Sequence, residues 1–116
     1  MSKSTFIFSS FEHGRRTYSC DRNLDADEAR IYEDGSSEIV MVFHPATDGV
    51  AWAVHSVDGK FGELRQGNGN NMWAFYQRPN QTRHLFRPMT MNDVFMKIAK
   101  IYLNEVAKSS AQRRQA

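Results

Sequence analysis

The sequence predicts an α+β fold: an antiparallel β-sheet, mostly a meander, with a C-terminal amphipathic helix packed on one face. Three observations lead there. Up to residue 87 the chain is a succession of short apolar-rich runs separated by Gly, Asn, Asp and Pro, the punctuation of strands and turns. Asp58-Gly59 lies between two such runs, a strong short-range hairpin signal. Beyond Pro88 the apolar residues change to the 3.6-residue period of a helix.

The elements follow in order. Thr5–Phe11, rich in Phe and Ile, reads as a strand that turns through Glu12-His13-Gly14-Arg15 into a second strand, Arg16–Cys20. Asp21–Asp34 has two readings. Asp25 followed by Glu28 fits a capping box with acids in the first turn, and Leu24 can staple onto Ala29, which gives a short N-terminal helix ending near Gly35. The competing reading pairs Ala29–Glu33 with Glu38–His44 across Asp34-Gly35. The capping pattern favours the helix.

Ile39-Val40-Met41-Val42-Phe43 is apolar at every position, as in a central strand covered on both sides. Pro45–Gly49 turns the chain into Val50–Val57, and a two-residue loop at Asp58-Gly59 sets a register of Val57 with Lys60, Ser56 with Phe61, Val54 with Glu63 and Trp52 with Arg65. After the loop Gly67–Asn71 come strand Met72–Arg78, a turn at Pro79-Asn80-Gln81, and strand Arg83–Arg87.

The final helix has Thr90 as its cap with Asp93 three residues on. At about 100° per residue, Phe95, Ile98, Ala99, Tyr102 and Val106 form one face, with Lys97, Lys100, Asn104 and Lys108 opposite. Val94, Met96 and Ile101 widen the apolar arc, either through deep burial at the helix start or through a second contact such as a homodimer seam or a partner groove. Residues 1–108 therefore read as one α+β domain, and 109–116 as a flexible basic tail.

Composition bounds the class. With 116 residues, 41% of them hydrophobic and 24% charged, the chain has the makeup of a globular domain able to bury a core. No apolar run reaches membrane-spanning length, and the first ten residues hold too short an apolar stretch for a secretory leader. The single cysteine, Cys20, excludes an internal disulfide and points to a reducing, cytoplasmic setting.

Charge is divided along the chain. Residues 1–59 carry 5 Lys/Arg against 10 Asp/Glu, and residues 60–116 carry 10 against 3, so −5 and +7 combine to the net +2. Such asymmetry bears on partners rather than fold. Seven carboxylates crowd Asp21–Glu38. An array of this kind can imitate phosphates and occupy a basic groove on another protein, which makes Asp25, Asp27, Glu28, Glu33 and Asp34 the candidate partner-binding flap. The basic half supports a second reading, direct nucleic-acid contact, in which Trp73 stacks on a base while Arg78, Arg83, Arg87, Lys97, Lys100, Arg113 and Arg114 follow phosphates.

Chemistry-bearing motifs are few. His13, His44, His55 and His84 lack the spacing of a zinc site. Cys20 stands next to Asp21, whose charge opposes a thiolate. Gly67-Asn68-Gly69 has neither the third glycine of a dinucleotide loop nor a following Gly-Lys-Ser/Thr. The expectation is a small non-enzymatic binding protein with no cofactor and no metal. It would modulate or inhibit one macromolecular partner by protein–protein contact, as accessory proteins of phage and mobile elements do. Nucleic-acid binding is the alternative.

Overall fold

The computed structural model describes residues 6–36, 38–46, 51–66, 72–87 and 89–115, with side chains for 7–36, 38–46, 51–66, 72–87 and 89–108. Eight strands precede one helix: β1 (Phe6–His13), β2 (Arg16–Asn23), β3 (Glu28–Glu33), β4 (Ile39–Pro45), β5 (Trp52–Ser56), β6 (Gly59–Gln66), β7 (Trp73–Gln77), β8 (Thr82–Phe86) and α1 (Met91–Gln115). Every strand pairs antiparallel with its neighbours in sequence, giving one sheet in the order β1 to β8. The α+β meander with a covering helix is thus the fold of the chain.

Alternation places one side chain of each pair under the helix. From β1 to β8 that face contributes Phe11, Tyr18, Cys20, Ala29, Ile31, Met41, Phe43, Trp52, Val54, Leu64, Phe75 and Phe86, and α1 closes the core with Val94, Phe95, Ile98, Ala99 and Tyr102. Phe95 is its centre, 4.5 Å from the Phe43 ring and 5.1 Å from the Trp52 ring. Val94 is fully buried, and Met96 and Ile101 are half-buried against the same cluster. Val106, expected on the apolar face, is exposed.

The helix is fixed at four points, one of them His13 Nε2 at 2.7 Å from Asn104 Oδ1. Thr90 Oγ1 accepts from the Asp93 backbone N–H at 3.2 Å, the expected cap. The buried Asn92 amide donates to the Ile7 carbonyl at 3.2 Å and to Ser9 Oγ at 3.1 Å on edge strand β1. Further along, the Tyr102 hydroxyl donates to Asp58 Oδ2 at 3.3 Å in the β5–β6 turn. The backbone stays helical to Gln115, through the segment expected to be a tail.

Two expectations need correction. No short N-terminal helix forms in 21–34; the segment is the hairpin β2–β3 followed by the turn into β4. Asn23, rather than Asp25, supplies the side-chain acceptor, taking the Asp25 and Ala26 backbone N–H groups at 3.0 and 3.2 Å. That Asx turn reverses the chain so that Asn23 pairs with Glu28 and Cys20 with Ile31. Strand pairing wins because it buries Ala29 and Ile31 completely. Asp34-Gly35 then makes the turn of the competing reading, with Ser36 N–H donating to Glu33 O at 3.1 Å and Ala29 facing Phe43.

The second correction is the β5–β6 register. Val57-Asp58 occupy the turn and Gly59, at φ +119°, pairs with Ser56. A bulge then makes Phe61 the extra residue, so Val54 faces Gly62 and Trp52 faces Leu64. The expected register would have turned Glu63 and Arg65 into the core and Leu64 out of it. The observed one buries Leu64, and lets Phe61 meet Tyr102 edge-on at 5.3 Å.

Gly62 lies under the Phe75 ring. A Cβ there would stand 2.3 Å from the Tyr76 carbonyl oxygen and 2.7 Å from the Phe75 ring. Gly62→Ala is therefore expected to destabilise by about 1–3 kcal/mol, the cost of overpacking. A lowered urea midpoint at unchanged slope checks this.

Candidate partner-binding site

The acidic flap is not one surface. Asp25 and Asp27 are exposed in the β2–β3 turn and Glu28 begins β3, whereas Glu33 ends β3 and Asp34 follows it. Five strand steps, roughly 17 Å, separate the two groups. Most of these carboxylates are also engaged within the fold. Asp27 lies 3.9 Å from Arg22, Glu28 3.1 Å from Arg30 and Glu33 3.4 Å from Arg16. Asp34 accepts a hydrogen bond from Ser19. Asp21, beside Asp34 and partly buried, has its carboxyl pushed up, first by burial and then by that like charge.

The cations separate differently. Trp73 is half-buried and turned toward the core cluster, which it joins from β7. Arg78 is exposed in the β7–β8 turn, and Arg83 is exposed opposite Tyr76 on the sheet face away from the helix. Arg87, Lys97 and Lys100 meet. They rim a groove of about 470 Å³ whose apolar wall is Leu85, Phe86, Met89 and Ile101. Arg113 and Arg114 belong to the helical backbone, but their side chains lie outside the described residues.

Met89, Lys97 and Lys100 also line a second hollow of about 330 Å³, shared with Ser10 and Phe11 of β1, and with Asp93 and Met96. The sheet therefore curves until both of its edge strands, β1 and β8, approach the same first turns of α1. Lys100 Nζ sits 5.8 Å from the centre of the Phe11 ring. Among the described residues, no carboxylate lies within ion-pair distance of Arg87, Lys97 or Lys100.

The sequence singles out these three cations, and Ile101 as part of a second contact, but not their convergence, nor Met89 between them. The one available signal was the wide apolar arc, since Met96 and Ile101 lie at the border of the hollows.

The opposite sheet face is mixed, with Phe8 and Leu85 exposed among polar groups. A depression of about 360 Å³ over β2 and β3 is lined by Asp21, Asn23, Glu28, Arg30 and Tyr32. Further across, the rings of His44 and His55 stack at 5.0 Å and nearly parallel, and Glu63 binds both Lys60 and Arg65 at 2.8 Å. Parallel rings send their in-plane lone pairs in parallel rather than converging directions, which does not suit a shared metal. No group of three or more His, Cys, Asp or Glu stands ready for a metal among the described residues. Burial, with Asp21 adding, pushes the Cys20 thiol up to about 12, far from the range of a reactive thiolate. No described helix is long and apolar enough to cross a membrane.

Comparison with protein-family models, curated proteins and solved structures gives no match for this chain.

Two predictions follow from these groups. Burial first, then His44 and Lys60, hold the His55 imidazole below its ordinary pKa. The unfolded chain therefore binds the His55 proton more readily, and stability falls as pH drops below about 6.5 until the folded pKa is passed. His55→Gln should flatten urea midpoints over that window. The Cys20 thiol, fully buried, should resist Ellman's reagent in the folded protein and react stoichiometrically in denaturant.

Proposed function

We propose that this chain is a small, non-enzymatic, cytoplasmic binding protein that modulates an acidic protein partner through the groove between β8 and α1. The observation that carries the reading is the imbalance of engagement. The acids of the first half are largely answered by Arg16, Arg22, Arg30 and Ser19, while Arg87, Lys97 and Lys100 surround an apolar wall with no carboxylate paired to them among the described residues. Unpaired rim charges around an apolar centre favour steering and anchoring of a complementary surface. The proposed contact thus moves from the flap Asp25–Asp34 to the basic end of the chain.

A protein partner fits this groove better than nucleic acid. Single-stranded nucleic acid needs aromatic faces open to stacking. Phe75 and Phe86 are buried and Trp73 is half-buried toward the core. Only Tyr76 of that set faces the other side of the sheet, next to Arg83.

Affinity capture followed by titration with the purified partner tests the proposal. Arg87→Glu, Lys97→Glu and Lys100→Glu together should weaken binding at least tenfold, about 1.4 kcal/mol, with the circular dichroism spectrum unchanged because all three side chains are exposed. Reversal of Asp25, Asp27 and Glu28 to Lys should leave affinity within about twofold, ~0.4 kcal/mol. The opposite pattern returns the contact to the flap. A salt-sensitive shift of oligonucleotide with no protein captured supports the nucleic-acid reading instead.

A further inference from the structure

The groove runs along a strand edge. Leu85 and Phe86 are consecutive residues of β8, so their side chains leave the strand on opposite faces; Phe86 is buried under the helix and Leu85 is exposed. A hollow that touches both, and Arg87 after them, must include the outer edge of the strand between them. β8 ends the sheet, and alternate residues of a terminal strand turn their N–H and C=O groups away from the ladder. Among the described residues no backbone hydrogen bond outside the ladder is made by β8. At the other edge of the sheet, β1 has its Ile7 carbonyl covered by Asn92.

We infer that an extended acidic segment of the partner adds to β8 as a ninth strand, its alternate apolar side chains lying beside Leu85 on the face away from the helix. The side chains between them, on the helix side, carry carboxylates over Met89 and Ile101 to Lys97 and Lys100. Strand addition supplies affinity through main-chain hydrogen bonds and specificity through the pocket for every second side chain. Charge complementarity selects the occupant: three unpaired cations with only Asp93 beside them reject a basic or neutral segment and attract an alternating acidic–apolar one. This assignment rests on the proposed function, since it names the partner element that the same groove receives.

The experiment uses the whole chain and a fluorescein-labelled octapeptide of alternating Glu and Leu. Binding should be saturable and weaken as salt rises, and should fall at least tenfold with Lys97→Glu and Lys100→Glu. Two further peptides carry N-methyl groups on the odd or on the even backbone amides. A strand bonds its neighbour through one edge only, so one methylated peptide should lose at least tenfold in affinity while the other stays within twofold. In parallel, amide exchange within Thr82–Phe86 should slow on binding of the unmodified peptide. Equal affinity of all three peptides overturns strand addition but leaves the groove as an acidic-partner site. No binding of the unmodified peptide overturns the inference, and the functional reading is then judged by capture with the charge-reversed variants. The same slowing of β8 exchange produced by dT20 would overturn the assignment to a peptide.

Discussion

The seating of Phe95 between Phe43 and Trp52 is the contact on which the rest of this fold depends. A meander of eight strands has a long apolar face, drawn here from every strand, and among the described residues no second sheet to cover it. One helix has to serve. It can do so only if the sheet bends round it, because a helix about 10 Å wide cannot cover eight strands spaced nearly 5 Å apart. Phe95 holds the middle of the curve at β4 and β5. Asn92 on Ile7 and Tyr102 on Asp58 fix the helix along its length. Removal of that ring would leave a large cavity at the one place where the strands converge on the helix.

The distribution of charge follows from this geometry. The β2–β3–β4 region presents its acids on turns and on the solvent face, where Arg16, Arg22 and Arg30 from neighbouring strand positions reach them. Arg22 does so from partly beneath the sheet, 5.8 Å over the Trp52 ring. Of the later cations Lys60, Arg65 and Lys108 have carboxylates beside them, but among the described residues Arg87, Lys97 and Lys100 do not, because β8 and the first turns of α1 carry few acids. A division visible as +7 against −5 becomes an answered acidic surface and an unanswered basic one. The second keeps Arg87, Lys97 and Lys100 exposed for another molecule.

Much of the architecture was legible in the sequence, for reasons that are local. The Thr90 cap, the helix face Phe95–Tyr102 and the Asp34-Gly35 turn depend on spacing within a few residues. The errors arose where tertiary burial overrode a local signal. Asp25 and Glu28 satisfy a capping pattern, yet Ala29 and Ile31 gain more from pairing beneath the helix than a short isolated helix gains from its cap. At Asp58-Gly59 the turn alone favours a two-residue loop, yet the sheet admits only the register that turns Glu63 and Arg65 outward, and the Phe61 bulge absorbs the difference. The site was harder still. Arg87 and Lys97 are ten residues apart and belong to different elements, so their meeting depends on the curvature of the whole sheet.

That curvature also ties the candidate site to the fold. A flat meander would hold its two edge strands far apart, and neither would face the helix. Bending round Phe95 brings β1 and β8 toward the same turns of α1, where Met89, Lys97 and Lys100 border both edges. The two edges are then treated unequally. Asn92 spends its side chain on β1, whereas the described part of β8 keeps its outer edge open beside a basic, half-apolar groove. An exposed edge is a hazard that proteins ordinarily cover or blunt. On the proposed reading the cations beside it act as a filter, admitting acidic strands and repelling a second copy's own basic edge. On that reading such an edge resists indiscriminate self-association while remaining open to a complementary partner.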